Sequence, residues 1–268
     1  MRYRALLEGA PRLRWHHALG AGMERFASAL RERPDLLISN SRSAIAPPIA
    51  EFALAMILAA SKQLVIHRDA QRRHDWLGPR SRPELREVAG RTLCVVGLGA
   101  IGGEIARLAS LVGLQVTGVR RRAGPHPHAM RVVDQDHLAE AAAGADFLVL
   151  ACPLTAETRG LVDARILAGL TPVSWVVNVA RAEVVVEDAL FAALSSRRIA
   201  GAALDVFWTE PLPATDRWWS LENVLVTPHT ASSSERQRGR VLALLGENLA
   251  RYRAGSPLRD LVDVGAGY

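Results

Sequence analysis

The chain has 268 residues, of which 49% are hydrophobic and 22% charged, and its formal net charge at pH 7 is +6. This composition is typical of a soluble globular protein and excludes an intrinsically disordered chain. No uninterrupted apolar run approaches the roughly 20 residues that span a bilayer, and the N-terminus lacks the apolar core of a signal peptide, so we expect no membrane partner. A chain of this length predicts two lobes with sizeable cores.

The basic character of the chain comes from arginine, because Lys62 is the only lysine. The arginines are spread along the chain and no base-reading motif accompanies them, so we expect anionic small molecules, and no nucleic acid, as partners. The only two cysteines, Cys94 and Cys152, fall within or at the end of predicted strands. Two such thiols indicate a reducing compartment, and we expect a cytoplasmic protein.

The first 86 residues predict a small α/β lobe. The segments RALLEGA, RLRWHHALG, MERFASALRER and DLLISNS alternate between short helices and strands, with one strand near Arg12 to Ala18. Pro47 and Pro48 then stand where proline is tolerated, at the start of a helix. The residues that follow predict one long helix to about Trp76, with its apolar half buried between two lobes and its basic end exposed.

A glycine-rich turn follows a polar connector. Gly97, Gly99 and Gly102 have G-x-G-x-x-G spacing between a predicted strand (residues 93–96) and a helix, and a second strand (residues 114–119) completes the unit. In such a unit, the first glycine permits a tight turn, the second lets the backbone approach a pyrophosphate, and the third lets the helix pack on the strand. The N–H groups at the helix start favour phosphate. The sequence therefore predicts a dinucleotide site in preference to a loop without a ligand.

Strands and helices continue to alternate after this unit. The predicted strands are residues 147–151, 175–178, 199–205 and 224–227; the predicted helices are residues 137–143, 164–170 and 187–195; and a last helix, residues 232–254, returns to the first lobe. This alternation predicts an α/β fold with a doubly wound parallel sheet. We place the dinucleotide-binding domain at residues 87–232 and the other lobe at residues 1–86 plus 233–268.

His126 and His128 form an H-x-H pair in the loop after Arg122. Metal sites generally need three or four ligands, and no third ligand is near in the sequence. We interpret the pair as part of a solvated loop and predict no metal.

Several residues follow predicted strands at the edge where a doubly wound sheet binds its ligands. They are Cys152, Pro153, Asn178, Arg181, Asp205, Glu210 and His229. Arg181, Glu210 and His229 form a coherent set for carbonyl reduction. The planar fork of arginine suits a carboxylate and can polarise a neighbouring keto oxygen. Histidine transfers protons near neutral pH, and an adjacent carboxylate orients it and favours its protonated form. Each residue alone is more often an ordinary surface group, but the three beside a dinucleotide site predict carbonyl reduction.

The order of these motifs resembles the D-isomer-specific 2-hydroxyacid dehydrogenase family, which includes glyoxylate/hydroxypyruvate reductases and phosphoglycerate dehydrogenases. The resemblance runs through VGLGAIG, PLTAETRGLVD, NVARAEVVVEDAL, AALDVFWTEPLP and ENVLVTPHTA. It implies a Rossmann domain inserted in a smaller, flavodoxin-like substrate lobe. The activity that it implies is the NAD(P)H-dependent reduction of small 2-ketoacids, such as glyoxylate or hydroxypyruvate, to D-2-hydroxyacids.

The resemblance also implies a role for each matching residue. Arg181 would clamp the substrate carboxylate and carbonyl, His229 would donate the proton, and Glu210 would hold His229 protonated. Backbone amides at Ala21 and Gly22 would bind the substrate carboxylate, and Asp205 would contact the nicotinamide carboxamide. The implied cofactor contacts are Gly97, Gly99, Ala100, Ile101, Gly102, Cys152, Pro153, Val179, Ala180, Asp205, His229 and Thr230.

Two single residues depart from the family pattern. An acidic residue usually ends the second strand and binds the ribose hydroxyls, but Arg120 stands there, followed by Arg121. Because a guanidinium can bind a 2′-phosphate, we expect both arginines to contact the cofactor and NADP(H) to be preferred, with NAD(H) as the alternative. Ala182 replaces the usual glycine after Arg181, which would strain the chain only if its φ were positive.

The third departure concerns the substrate lobe, which in the family begins with a further strand-helix-strand unit of about 30 residues or more. We expect either that Met1 is not the natural start or that the lobe is shortened, with an open edge on the strand near Arg12 and a partly open cleft. The family also implies a homodimer, formed through the cofactor domain and residues 76–87. The alternative to an enzyme is a dinucleotide-sensing binding protein or a truncated pseudoenzyme.

Overall fold

The computed structural model describes residues 9–26, 33, 35–79 and 84–263. Its smaller sheet has two parallel strands, β1 (Trp15–His17) and β2 (Leu37–Ser39). Within the described ranges, β1 pairs along one edge only, with β2. The end of β2 forms an antiparallel bridge from Ser39 to Leu261, near the C-terminus. Both strands lie within the segments where the sequence predicts them.

The helices predicted for the first 33 residues fall largely outside the described residues. Residues 4–8 of the first helix and residues 27–32 of the second are not among them. The described start of the second is a single 3-10 turn, Glu24–Phe26.

The long helix predicted from Pro47 is in fact two helices. The first, α1 (Arg42–Ser61), begins ahead of both prolines, and α2 (Leu64–Arg72) follows Gln63, which has a φ of 51°. A residue in the left-handed region interrupts the hydrogen-bond ladder of a right-handed helix. The prediction of one helix was wrong because apolar periodicity does not report a single left-handed residue.

A residue from the other end of the chain caps the start of α1. Asp260 accepts hydrogen bonds from the Ser43 N–H (2.9 Å) and from the Ser43 hydroxyl (2.5 Å), and it lies 3.6 Å from the guanidinium of Arg42. A carboxylate at a helix N-terminus satisfies free N–H groups and is favoured by the helix dipole. The two prolines therefore stand inside the helix, and the prediction that they begin it was wrong.

Seven parallel strands form the larger sheet, in the spatial order β5-β4-β3-β6-β7-β8-β9. They are β3 (Thr92–Val96), β4 (Gln115–Val119), β5 (Arg131–Val133), β6 (Phe147–Leu150), β7 (Trp175–Asn178), β8 (Gly201–Leu204) and β9 (Val224–Val226). The remaining helices are α3 (Ala100–Leu111), α4 (Leu138–Ala142), α5 (Ala164–Gly169), α6 (Glu187–Ser195) and α7 (Gln237–Arg253). The strand order reverses between β3 and β6, and the predicted doubly wound α/β fold is confirmed.

Apolar side chains cover both faces of this sheet. Cys94 and Leu148 pack with residues of α4, α5 and α6 on one face, whereas Val95 and Val149 pack with residues of α1, α3 and α7 on the other. Neighbouring residues of a strand point to opposite faces, so a strand covered on both sides is apolar at every position. This is why the central strands are visible as continuous apolar runs.

Several element bounds differ from the sequence prediction, and one strand was not predicted. The edge strand β5 was missed because three residues are too few to show a pattern; it pairs with β4. Strand β8 is shorter at both ends than the predicted residues 199–205. Helix α7 begins at Gln237 and not at residue 232, because residues 230–237 form turns in which Ser233 N–H donates to Thr230 and Gln237 N–H to Ser234.

Helices α1 and α7 connect the two sheets. Within the described chain, α1 is the one helix with the length and apolar character of a membrane span, yet half of its most apolar stretch is buried inside the protein, where it packs against α3 and α7. Tyr252 of α7 stacks on Trp15 of β1 with ring centroids 5.5 Å apart. The last helix thus reaches the first lobe, while the exact division into two domains stays a prediction.

Candidate functional site

A cleft of about 1270 Å³ opens at the carboxyl ends of β3 and β6, between the two sheets. One wall is formed by the loops that follow β3, β4, β6, β7 and β9. The other wall is formed by the loop after β1 and the start of α1. The cleft lies where the strand order reverses, which is the ligand-binding position of doubly wound sheets.

The turn after β3 leaves no room for side chains at two glycines. Gly97 has a φ of +96°, and a Cβ there would lie 2.6 Å from the backbone N of Cys152. A Cβ on Gly102 would lie 1.7 Å from the carbonyl oxygen of Gly97, so α3 packs directly on the turn. At Gly99, by contrast, a Cβ would meet open space, and no side chain caps the start of α3.

Gly99, Ala100 and Ile101 therefore present backbone N–H groups of the helix start to the cleft. Free N–H groups and the positive end of the helix dipole bind phosphate. The residues at this turn fit the pyrophosphate of a dinucleotide.

The end of β4 carries positive charge into the same cleft. Arg120, Arg121 and Arg122 all line it. The guanidinium of Arg120 packs against Gly124 in the loop after β4, since a Cβ on Gly124 would lie 2.6 Å from its Nη2. Among the described residues, none accepts a hydrogen bond from the buried Nε of Arg120. A guanidinium with donors to spare fits a phosphate ester beside the dinucleotide turn.

Asp205, at the end of β8, ties down the segment that carries His229. Its Oδ1 accepts hydrogen bonds from the Thr227 hydroxyl (2.7 Å) and the Thr230 N–H (2.9 Å), and its Oδ2 accepts one from the Ala231 N–H (2.8 Å). The carboxylate is 2% exposed. Its oxygens are thus engaged with this chain, and the contact with a carboxamide stays a prediction.

His229 and Glu210 form the pair that the sequence predicts. His229 Nδ1 lies 2.8 Å from Glu210 Oε2, and Glu210 Oε1 accepts a hydrogen bond from the Phe207 N–H (3.0 Å). Burial raises the pKa of Glu210, but the hydrogen bonds from His229 and Phe207 outweigh it, and the net pKa is lowered. His229 itself has a φ of 55°. Such a conformation is uncommon for a residue with a side chain and recurs at functional sites.

Arg181 lies on the loop after β7 and is fixed by Asn178. The Asn178 amide donates to the Arg181 carbonyl oxygen (3.0 Å) and accepts a hydrogen bond from the Ala180 N–H (3.0 Å). The Arg181 side chain donates from Nη1 to the Ala180 carbonyl oxygen (2.6 Å). Ala182 follows in a 3-10 turn and is not among the positive-φ residues, so it adds no strain of that kind.

The guanidinium of Arg181 crosses the cleft to the small lobe. Its Nε lies 3.0 Å from Oε1 of Glu24, and a Cβ on Gly22 would lie only 1.9 Å from its Nη2. The predicted substrate loop at Ala21 and Gly22 is therefore directly beside Arg181. The positive charge of Arg181 also contributes to lowering the pKa of Glu210, which is consistent with the two groups lying near each other.

The other predicted cofactor residues lie on the same rim. Cys152, Pro153, Val179 and Ala180 line the cleft, and Thr230 contacts Asp205. Burial raises the pKa of Cys152 to about 12, so its thiol stays protonated near neutral pH and acts as a packing group. Their contacts with a cofactor stay predictions.

His126 and His128 lie next to each other, with ring centroids 5.9 Å apart. Within the described ranges, no group of three or more His, Cys, Asp and Glu side chains could hold a metal ion. His126 is close to the dinucleotide turn, because a Cβ on Gly103 would lie 3.1 Å from its Nε2.

One residue of this site was not predicted. The sequence pointed to Asn178 as a polar residue at a strand end, but not to its role as an anchor for the next loop. Glu24 carries no local signal, because its partner Arg181 is far away in the sequence and the contact exists only once the two lobes have come together.

Comparisons with known proteins agree with this geometry. The NAD-binding domain model of the D-isomer specific 2-hydroxyacid dehydrogenases matches residues 54–231. The glyoxylate reductase of Korarchaeum cryptofilum is 31% identical over 96% of this chain and 78% of its own length. The D-3-phosphoglycerate dehydrogenase of Mycobacterium tuberculosis is 34% identical over 98% of this chain, which spans about half (49%) of that protein.

A solved structure gives the same result. The D-isomer specific 2-hydroxyacid dehydrogenase of Xanthobacter autotrophicus Py2, in complex with NADPH and MES, has a TM-score of 0.86 and 34% identity, and the match covers 98% of this chain and 81% of that one. The chain belongs to the D-isomer specific 2-hydroxyacid dehydrogenase family.

Proposed function

We propose that the protein is an NADP(H)-dependent reductase of small 2-ketoacids, of the glyoxylate or hydroxypyruvate type, that forms D-2-hydroxyacids. The observation that carries this proposal is a convergence: Arg181 and His229, the latter paired with Glu210, line the same cleft as the turn at Gly99. Carboxylate recognition, proton transfer and dinucleotide binding thereby meet in one place.

Each side chain has a defined task in this reaction. Arg181 binds the substrate carboxylate together with the backbone at Gly22 and turns the keto group toward the nicotinamide. When bound, the reduced nicotinamide supplies a hydride. His229 Nε2, the ring nitrogen that does not face Glu210, donates a proton to the carbonyl oxygen and takes it back in the reverse direction. Glu210 holds the ring in place and favours the imidazolium.

The test is an assay of NADPH oxidation with a panel of 2-ketoacids. We expect turnover of glyoxylate or hydroxypyruvate and a product of D configuration. NADPH binding without oxidation by any member of the panel would contradict the proposal and would favour a sensing protein.

NADP(H) is the cofactor that Arg120 and Arg121 favour, since a 2′-phosphate would meet guanidinium groups where a ribose-binding carboxylate is absent. The NADPH complex of the Xanthobacter relative supports this choice. We expect kcat/KM to be higher with NADPH than with NADH, and we expect Arg120→Gln to reduce that ratio about tenfold or more. The variant should leave kcat/KM with NADH unchanged; an equal loss with both cofactors would point to a structural role for Arg120.

A homodimer in the cytoplasm is also part of the proposal. Trp76 and Leu85, in the segment from which we expect dimer contacts, are 95% and 53% exposed, and an exposed apolar side chain of this size suits an interface. Light scattering after gel filtration should give twice the chain mass, and Trp76→Ser should shift the measured mass toward that of the monomer.

The proposed cytoplasmic location is favoured by two reduced, buried thiols, and cell fractionation tests it.

A further inference from the structure

We propose that Glu24 determines substrate specificity, by making the cleft accept 2-ketoacids with one anionic group and exclude those with a second. The inference rests on the proposed reduction of 2-ketoacids. It assigns a task to a carboxylate that stands in the place where the substrate carboxylate is expected.

The contact of Glu24 with Arg181 is close and partly shielded from water. The 3.0 Å separation of Oε1 and Nε is that of a charge-assisted hydrogen bond. The two side chains are 29% and 30% exposed, so the pair is mainly enclosed. Oε2 of Glu24 also lies 2.7 Å from the point where a Cβ on Gly22 would stand. Glu24 thus approaches both partners that are expected to bind the substrate.

The donors of Arg181 are divided between the chain and the cleft. Nε faces Glu24, Nη1 donates to the Ala180 carbonyl oxygen, and Nη2 faces the backbone of Gly22. A substrate carboxylate that binds Nη2 and the Gly22 loop therefore lies beside the carboxylate of Glu24. Arg181 can stabilise one added negative charge while it keeps Glu24.

The charges of Arg181 and Glu24 balance before the substrate binds, and a substrate with one carboxylate makes this pair negative by one. Of the other arginines that line the cleft within the described residues, Arg42 faces Asp260 at 3.6 Å, and Arg120, Arg121 and Arg122 lie at the end of β4 beside the dinucleotide turn. A second anionic group on the substrate therefore finds no uncommitted cation in Arg181 or Arg42.

The size of the substrate makes this repulsion strong. In a three-carbon ketoacid, every atom lies within a few ångströms of the carboxylate that Arg181 binds, and hence close to Glu24. Two like charges at such a distance in a partly enclosed site lower affinity about tenfold or more. Hydroxypyruvate should therefore be accepted and its 3-phosphate ester rejected, although the two share one carbon skeleton.

The test compares this pair of substrates in wild type and in Glu24→Gln. The amide has nearly the same shape and can still accept a hydrogen bond from Arg181, but it has no charge. We expect the ratio of kcat/KM for the 3-phosphate ester to that for hydroxypyruvate to rise about tenfold. Glu24→Asp should keep the wild-type ratio, and Glu51→Gln, an equal change of charge on the exposed side of α1, should have no effect.

Ionic strength separates charge from shape. Because salt screens repulsion, the ratio in wild type should rise with added salt, whereas the ratio in Glu24→Gln should respond less. A ratio that is equal in wild type and Glu24→Gln at low salt would overturn the inference, as would a wild type that prefers the phosphate ester.

Calorimetry distinguishes failure of the proposed role of Glu24 from failure of the proposed reductase activity. Both ligands are titrated into the complex of the protein with NADP⁺, in which no reduction can occur. Absence of turnover in the assay would then contradict the reductase proposal, while the two dissociation constants still report on Glu24. Turnover of hydroxypyruvate with unchanged discrimination in Glu24→Gln would leave the reductase and remove the role of Glu24.

Discussion

The two walls of the cleft are built on different principles. On the wall of the seven-stranded sheet, each loop that carries a reacting group is tied to a buried polar side chain: Asn178 holds the loop of Arg181, and Asp205 holds the segment of His229. On the facing wall, two three-residue strands and a 3-10 turn present Gly22 and Glu24. That wall is fastened by the C-terminal segment, through Asp260, and by α7.

The difference teaches how the site divides its work. In the proposed reaction, proton transfer needs a donor and an acceptor at hydrogen-bond distance, and its residues lie on loops anchored to the core of the sheet. We expect the substrate carboxylate to need a partner from the other wall as well, which short-range contacts hold in place. Changes on the first wall should therefore affect rate and stability most, and changes on the second should affect substrate binding.

The largest effect should come from His229→Ala. Loss of the proton donor should lower kcat by about 10²–10⁴-fold, while the dissociation constant of NADPH stays nearly unchanged. Steady-state kinetics and the quenching of NADPH fluorescence measure the two quantities. His67→Ala, on the exposed side of α2, is the matched control; activity that survives in His229→Ala would remove His229 from the mechanism.

The next largest effect should come from Asp205, which anchors the segment of His229. Asp205→Ala leaves two backbone N–H groups and the Thr227 hydroxyl without their acceptor in a buried place, which costs about 3 kcal/mol of unfolding free energy. Urea denaturation measures it. Asp216→Ala, which removes a cap from a short 3-10 helix, should cost only about 1 kcal/mol. Equal losses in the two variants would contradict the anchoring role.

Glu210→Gln should have an intermediate effect. Without the negative charge, the ring of His229 loses its charge-assisted hydrogen-bond partner, so we expect kcat near neutral pH to fall about tenfold.

Glu210 also makes the stability of the protein depend on pH in the acid range. Because its pKa is lowered from the ordinary value of 4.5, the carboxylate is charged above that value. Its contribution to stability is therefore present above pH 4.5 and is lost as the pH falls through the lowered pKa. Urea denaturation at several pH values measures this contribution, and an identical dependence of the unfolding free energy on pH in wild type and Glu210→Gln would contradict it.

The smallest effect should come from Asp260, which attaches the C-terminal segment to the start of α1. Asp260→Asn tolerates the φ of 52° at this position and can still accept a hydrogen bond from Ser43, but it removes a charge from the start of α1 and from Arg42. We expect a loss of about 1 kcal/mol in unfolding free energy and a higher KM for the ketoacid with an unchanged KM for NADPH. A change in KM for NADPH alone would contradict the division between the two walls.

Much of the larger sheet could be predicted because its signals are local. The central strands, such as residues 147–150, are apolar at every position, and the glycine spacing at Gly97 reports a turn that only small residues allow. The edge strand at residues 131–133 and the break at Gln63 were missed, since three residues carry no pattern and one left-handed residue carries none either.

The sequence by itself determined the fold class and the glycine turn, because these depend on side-chain type and on spacing within about thirty residues. It also predicted the residues that we propose to react, from their positions after the strands. Only the tertiary structure decided that Asp260 begins α1, that Asp205 holds the segment of His229, and that Glu24 faces Arg181. These contacts join residues from distant parts of the chain. No periodicity records them, and packing of the two lobes brings them within hydrogen-bond distance.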